Sequence, residues 1–184
     1  MKKALLLLAA SIICISQSNI VNAQDVQNTF FNMRLGNVLS TQTIRNNVGT
    51  RGKYGQYENR GSIQRVIFVD ISFGAEIWTW GDFQLTNDGH FFEFTVENAY
   101  SNKVEAEQFY TKMKQRLFEK YSNRYEENRD SGHIVYFGGG SDSYASLELK
   151  YRKANSGDWL YYVDLSYWSG YWINKVVNDT ESEL

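Results

Sequence analysis

Apolar residues recur along this chain at two periods, and the changes from one to the other mark out its elements. Between residues 102 and 121 the period is helical: Ala106, Phe109, Tyr110, Met113, Leu117 and Tyr121 are spaced by three and four, which places them on one helix face. Asn102 stands where an N-cap belongs, and Glu105 three residues on can reach back to the cap amide. Glu105 and Glu107 lie toward the positive end of the helix dipole, Arg116 and Lys120 toward the negative end. Burying such a stripe contributes roughly 1.5–3 kcal/mol per side chain before chain entropy, enough to hold a helix on a sheet but not to form one alone. Val104, Thr111 and Phe118 repeat every seven residues on the opposite face, which a single sheet would leave exposed. The expectation is that another part of the chain, around Tyr171, Trp172 and Ile173, covers them, with a partner at Phe118 as the alternative. Lys112, Arg116 and Lys120 form a row that reads as a solvated flank.

Elsewhere the period is two or the segments are short. Residues 24–32 read as a polar lead-in ending in Phe30-Phe31, and a short helix is predicted over Thr41–Val48 with Gly49 at its C-terminal cap. Residues 50–61, rich in glycine and basic side chains, read as a mobile loop or an irregular strand. Ile63–Phe73 is predicted as a strand with Ile63, Ile67, Val69, Ile71 and Phe73 on one face. Glu76–Thr86 is a second, with Trp78 and Trp80 on the face opposite Ile77, Phe83 and Leu85. Asn87-Asp88-Gly89 turns it into residues 90–97, where Phe92, Phe94 and Val96 alternate with Glu93 and Thr95. Beyond the long helix come strands over 124–127 and 133–137, joined through Asp130-Ser131-Gly132. A loop over 138–143 follows, and then a hairpin pairing 144–152 with 159–168 across Asn155-Ser156-Gly157. On its two strands Ala145, Leu147, Leu149 and Tyr151 lie on one face, as do Trp159, Tyr161, Val163, Leu165 and Tyr167.

Helix followed by strands, twice, predicts an α+β two-layer sandwich of antiparallel strands with one long and one short helix. The α-then-β units would span 35–97 and 102–168. With no proline and no linker composition, residues 24–184 are expected to form a single domain.

The first residues change the picture of compartment. Lys2-Lys3, an apolar run from Ala4 to Ile15 and the small-residue pattern Val21-Asn22-Ala23 predict a bacterial secretory signal peptide over 1–23, cut before Gln24 and too short for a membrane span. Cys14 is preceded by Ile13 where lipoprotein processing prefers a small residue, so soluble export, periplasmic or extracellular, is expected. Removing 23 residues from 184 leaves 161, a size suited to one domain. Removing Lys2 and Lys3 from 19 basic residues leaves 17 against 21 acidic, a net charge of −4 that argues against nucleic-acid binding. The only cysteine leaves with the leader, so the fold must rest on an apolar core, to which 16% aromatic residues contribute.

The segment Phe31-Asn32-Met33-Arg34-Leu35-Gly36-Asn37-Val38, the helix after it, the strands paired around Asn-Asp-Gly and the long helix ending at Lys120-Tyr121 resemble small exported proteins of the BamE and β-lactamase-inhibitor-protein-like superfamily. In that group Leu-Gly at the head of a short helix opens each α-then-β unit, and here Leu35-Gly36 opens the first. The resemblance covers most of residues 31–168 as an order of elements. It implies a binding or assembly function without catalytic residues.

Candidate chemistry is sparse. His90 and His133 sit beside turn glycines without a metal-ligand partner at helical spacing, and no cofactor motif or nucleophile elbow is present. Gly138-Gly139-Gly140-Ser141-Asp142-Ser143 lacks the lysine and the following helix of a phosphate loop and reads as a strand connection. Asp82 and Glu93, on opposite arms of one hairpin, are the nearest candidates for a carboxylate pair of the kind used in glycoside hydrolysis. Aromatic surface is the stronger signal: Trp78 and Trp80 on one strand, and Tyr167-Trp168-Ser169-Gly170-Tyr171-Trp172 near the C-terminus. The reading is an exported, non-catalytic binding module that meets an envelope protein or glycan through Trp78, Trp80, Trp168, Tyr171, Trp172 or Phe118. The alternative is a small glycan-acting hydrolase using Asp82 and Glu93.

Overall fold

The computed structural model describes residues 25–138, 142–154 and 157–181. The signal peptide expected over 1–23 lies outside the described residues, as do the middle of the 138–143 loop and Asn155-Ser156 of the hairpin turn. The fold is α+β and strand-dominated. A small hairpin, β1 (Thr29–Phe30) and β2 (Met33–Arg34), precedes α1 (Thr41–Val48). Ser40 caps α1 by accepting from the Thr43 amide, and Gly49 (φ 56) ends it in a left-handed turn. Strands β3 (Lys53–Arg60), β4 (Ile63–Phe73), β5 (Glu76–Thr86) and β6 (Phe91–Tyr100) form one antiparallel meander. After α2 (Lys103–Lys120), β7 (Arg124–Arg129), β8 (Gly132–Gly138), β9 (Ser143–Lys153) and β10 (Trp159–Ser169) form another, and α3 (Gly170–Glu181) closes the described chain. The meanders join edge to edge through β6 and β10, giving one eight-stranded sheet of order β3-β4-β5-β6-β10-β9-β8-β7. No helix among the described residues is long and apolar enough to cross a membrane.

The long helix forms where its caps stand. The Asn102 side chain accepts from the Val104 amide, and the Tyr121 amide donates to the Leu117 carbonyl. Ala106, Tyr110, Met113 and Leu117 are buried against β6, β9 and β10. Ile44 and Val48 of α1 enter the same cluster, as do Val66, Phe68, Phe83, Phe94, Val96, Leu147, Val163 and Leu165.

The lead-in is less polar in structure than in sequence: Val26, Phe30, Phe31 and Met33 are all buried. Phe30 lies 4.8 Å from Tyr167 and 5.1 Å from Phe94 between ring centroids, so the hairpin plugs the core with aromatic contacts. The Tyr121 hydroxyl accepts from the Gln27 amide at 3.2 Å, fixing the lead-in to the end of α2. Residues 53–60, expected as loop or irregular strand, form edge strand β3 with a bulge between Tyr54 and Gln56.

One residue overturns the expected faces of β4 and β5. Asp70 has φ 52, a left-handed conformation that an aspartate tolerates better than a β-branched residue. Register is kept on both sides of it, Val69 opposite Trp80 and Ile71 opposite Trp78, but the alternation reverses there. Val66 and Phe68 are buried before the kink and Ile71 after it, whereas Ile67 and Val69 line the other face. On β5 the same reversal buries Trp78 completely while Trp80 stays 51% exposed and Ile77 69% exposed. Trp78 donates through Nε1 to the Phe73 carbonyl at 3.0 Å and meets Phe109 of α2 edge-on at 5.2 Å. Asn98 of β6 holds the junction. Its Oδ1 accepts from the Thr79 amide at 2.7 Å and the Thr79 hydroxyl at 3.0 Å, and its Nδ2 donates to the Ile77 carbonyl at 3.4 Å.

The C-terminal segment does not cover the back of α2. It continues from β10 directly into α3, a helix the aromatic pattern did not announce. Trp172 packs against His90 at 3.8 Å, at the far end of β6. Phe118 is half-buried instead by β7 and β8: Phe137 lies 6.1 Å away and the Arg124 guanidinium 3.9 Å over its ring. Val104 remains 57% exposed.

Candidate functional site

Strand alternation that sends Phe94, Val96, Val163 and Leu165 into the core sends their neighbours to the opposite face. There the registers align Trp80, Asp82 and Gln84 of β5 with Glu97, Thr95 and Glu93 of β6, and these in turn with Asp164, Ser166 and Trp168 of β10. On β9 the rows continue through Glu148, opposite Asp164, and Tyr144, opposite Trp168, while Lys150 stands one pair further along, opposite Tyr162. The face is charged along its middle and aromatic at its ends. Tyr144 stacks on Trp168 at 6.0 Å and 20°, and Tyr125 of β7 on Tyr136 of β8 at 6.3 Å and 21°.

Two ion-pair groups occupy the middle. Arg65 donates to Asp82 Oδ2 from Nε at 2.9 Å and from Nη2 at 2.6 Å, and to Glu58 Oε2 from Nη1 at 3.2 Å. Arg60 Nη2 reaches the same Glu58 oxygen at 2.7 Å. Lys150 pairs with Asp164, and Glu97 stands 4.0 Å from its ammonium. Burial raises the Asp82 carboxyl above its usual range, and Arg65 only partly offsets this. Burial likewise raises Asp164 against the pull of Lys150. Glu93 is pushed from 4.5 to about 7, because it is desolvated and the Thr95 hydroxyl, at 3.2 Å, only partly offsets this. Asp82 Oδ1 and Asp164 Oδ1 are buried and meet no donor among the described residues.

Over the β3–β6 half of this face runs an open groove of about 500 Å³. Trp80, Ile67 and Val69 supply its apolar wall. Glu58, Arg60, Arg65, Asp82, Thr95 and Glu97 supply its polar one, and Gly55 and Gln56 of the bulged edge strand complete the rim.

Of the residues singled out in sequence, Trp80 and Trp168 share this face, about four residues apart along β6, roughly 13 Å. Trp78 does not belong to it, being buried under α2. Tyr171 is 62% exposed in the first turn of α3, edge-on to Trp172, and Trp172 is half-buried on His90. Phe118 lies against β7 and β8 on the helical side. Asp82 and Glu93 do fall on one face, diagonal across β5 and β6, but Asp82 is pinned by Arg65 and Glu93 lies outside the groove lining. Sequence reading passed over Glu58, Arg65, Lys150, Asp164, Tyr136 and Tyr144. The signal was present in β9 and β10, where Tyr144, Ser146, Glu148 and Lys150, and Leu160, Tyr162, Asp164, Ser166 and Trp168, occupy the positions between core residues.

No family model matches the chain, and no curated protein or solved structure is significantly similar to it.

Proposed function

We propose that this protein is an exported, non-catalytic binding module that receives an envelope protein or glycan on the sheet face carrying Trp80, Trp168 and Tyr144. One observation carries the reading: Trp80 is 51% exposed beside the groove, while the tryptophan two residues before it is fully buried. Large aromatics half-open beside desolvated charges are the residues that most often dominate binding energy. We read the fold as a two-layer arrangement of two related α-then-β units. Supporting this, each meander follows a helix and their last strands pair with each other. That order agrees with the BamE and β-lactamase-inhibitor-protein-like resemblance, and the Lys-Lys leader supports a periplasmic or extracellular site of action. Neither cofactor nor nucleic acid has a part in the reading.

The test is capture from a bacterial envelope extract with the mature chain, compared with Trp80→Ala and with Trp168→Ala/Tyr144→Ala. Specific partners should be retained by the parent and lost from the variants. Retention unchanged in both variants refutes the assignment of the face.

A second reading has one observation in its favour. Glu93, at about 7, holds a proton near neutrality diagonal to Asp82, whose carboxyl burial raises and Arg65 pulls down, and a glycan hydrolase needs one such acid beside a second carboxylate. Glu93→Gln and Asp82→Asn would then abolish release of reducing ends from envelope glycans, whereas a binding module shows no such release to lose.

A further inference from the structure

The groove over β3–β6 has features that select among ligand classes. Its volume, about 500 Å³, falls within the ~300–1,000 Å³ range of small-ligand clefts. One wall is flat and apolar: the Trp80 indole, half open, beside Ile67 and Val69. The other carries donors and acceptors interleaved, with Arg60 and Arg65 among Glu58, Asp82 and Glu97. These charges nearly cancel, and most are already committed to one another through Arg65–Asp82, Arg65–Glu58 and Arg60–Glu58. A phosphate would meet the three carboxylates, and a polyamine the two guanidinium groups. What the wall offers is a set of oriented acceptors and donors for a ligand that is neutral and has both. Glu97 sharpens this: it stands directly opposite Trp80 in the strand register, its side chain is 25% exposed on the lining, and the Lys150 ammonium is 4.0 Å away.

We propose that this groove binds a neutral pyranose unit of a glycan. The ring's C–H face would lie on Trp80, and one hydroxyl would donate to the Glu97 carboxylate across from it. Hydroxyl groups are donor and acceptor at once, so the neighbouring hydroxyls accept from the arginines and donate to Glu58 or Glu97. A pyranose presents C–H groups on its ring face and hydroxyl groups around its rim, which matches a cleft with a flat apolar wall and polar groups beside it. This assignment rests on the reading of the sheet face as a binding surface and names the ligand class for one part of it.

Isothermal titration of the mature chain with three soluble series tests it: oligomers of neutral hexoses, of N-acetylhexosamines and of hexuronic acids, with a lysine-rich peptide as the cationic control. The expected result is binding of a hexose or N-acetylhexosamine series, weakened at least about tenfold by Trp80→Ala and by Glu97→Gln. Trp159→Ala, an exposed tryptophan outside the groove, should bind as the parent does. Near-ultraviolet circular dichroism checks that each variant is folded, and Trp80→Leu replaces Trp80→Ala if the latter is not. Binding of the peptide or of hexuronates alone overturns the proposal. So does sugar binding indifferent to Trp80 and Glu97, or binding of none of the series at millimolar concentration. Should no sugar bind while envelope capture still depends on Trp168 and Tyr144, only this assignment fails; if capture too is indifferent to the face, the broader reading fails with it.

Discussion

Replacing Glu93 by glutamine removes a single titratable group and keeps the shape and the acceptor that meets the Thr95 hydroxyl at 3.2 Å. Its carboxyl goes from 4.5 to about 7 on folding because burial disfavours the charged form. Between those values the folded chain holds a proton that the unfolded chain has already released. Stability therefore falls as pH rises through this window, with no cost below it and the full cost above it. At about 1.36 kcal/mol per pH unit the full cost is on the order of 3 kcal/mol. Glu93→Gln should match the parent near about pH 3.5 and exceed it by about 3 kcal/mol near about pH 8.5. For a chain of this length that corresponds to roughly 6–12 °C in Tm. Asp82 and Asp164 are raised in the same direction, so the parent's slope is steeper than Glu93 alone requires and the variant keeps part of it. The informative quantity is the difference between the two proteins, measured by urea unfolding across the series. A difference that does not change with pH refutes the reasoning, because Glu93 would then be equally easy to ionise in both states.

The kink at Asp70 makes the two β5 tryptophans opposites: Trp78→Ala should cost about 3–5 kcal/mol, and Trp80→Ala should stay within about 0.5 kcal/mol, in the same denaturant assay. Asp70→Val places a β-branched residue at φ 52 and should cost about 1–3 kcal/mol, whereas Asp70→Gly should cost less than about 1 kcal/mol. Asn98→Ala leaves the Thr79 amide without its acceptor and should cost about 1–3 kcal/mol, with faster hydrogen exchange at Thr79 as its local signature. Gly132→Ala would set a methyl on the Leu149 carbonyl oxygen, so exchange protection should fall across β8 and β9.

Elements bounded by local chemistry were legible in the sequence. Asn102 caps α2, Gly49 ends α1, and the glycine turns delimit β4, β5 and β6, because in each case the determining residue lies next to the boundary. Elements decided by distant partners were not. The first amides of α3 are capped by Asp142, nearly thirty residues earlier: its carbonyl accepts from Gly170 at 3.0 Å and its carboxylate from Tyr171 at 2.8 Å. Ser169 contributes locally by accepting from the Trp172 amide at 3.4 Å, but nothing in the sequence links that start to Asp142. The inward face of β4 was misread because Ile63–Phe73 carries apolar residues at both parities, so a period of two fits either face until Asp70 breaks it. For the same reason Trp78 was assigned to the surface. Half of the candidate site could be seen: Trp80 from alternation, Asp82 and Glu93 from their places on the two arms of one hairpin, and Trp168 from the run of aromatics over 167–172. The ion pairs of Arg65 and Lys150 depend on which strands adjoin, and the union of β6 with β10 is not a local property of either.

That union has a consequence for how copies of the chain behave together. β6 and β10 are the last strands of their meanders, paired from Trp168↔Glu93 to Tyr161↔Tyr100, and only α2 and the strands after it tie them into one chain. Until the seam closes, each half presents a bare strand edge flanked by Phe94 and Val96 or by Val163 and Leu165. A second copy carries the same two edges in the same register. Exchange of halves between two chains would rebuild every seam bond and bury the same side chains, with the residues around Ser101 as the hinge. What favours the closed monomer is proximity along the chain, which concentration can overcome. Refolding at high protein concentration should therefore yield intertwined dimers whose sheets cannot be told from those of the monomer by their internal pairing.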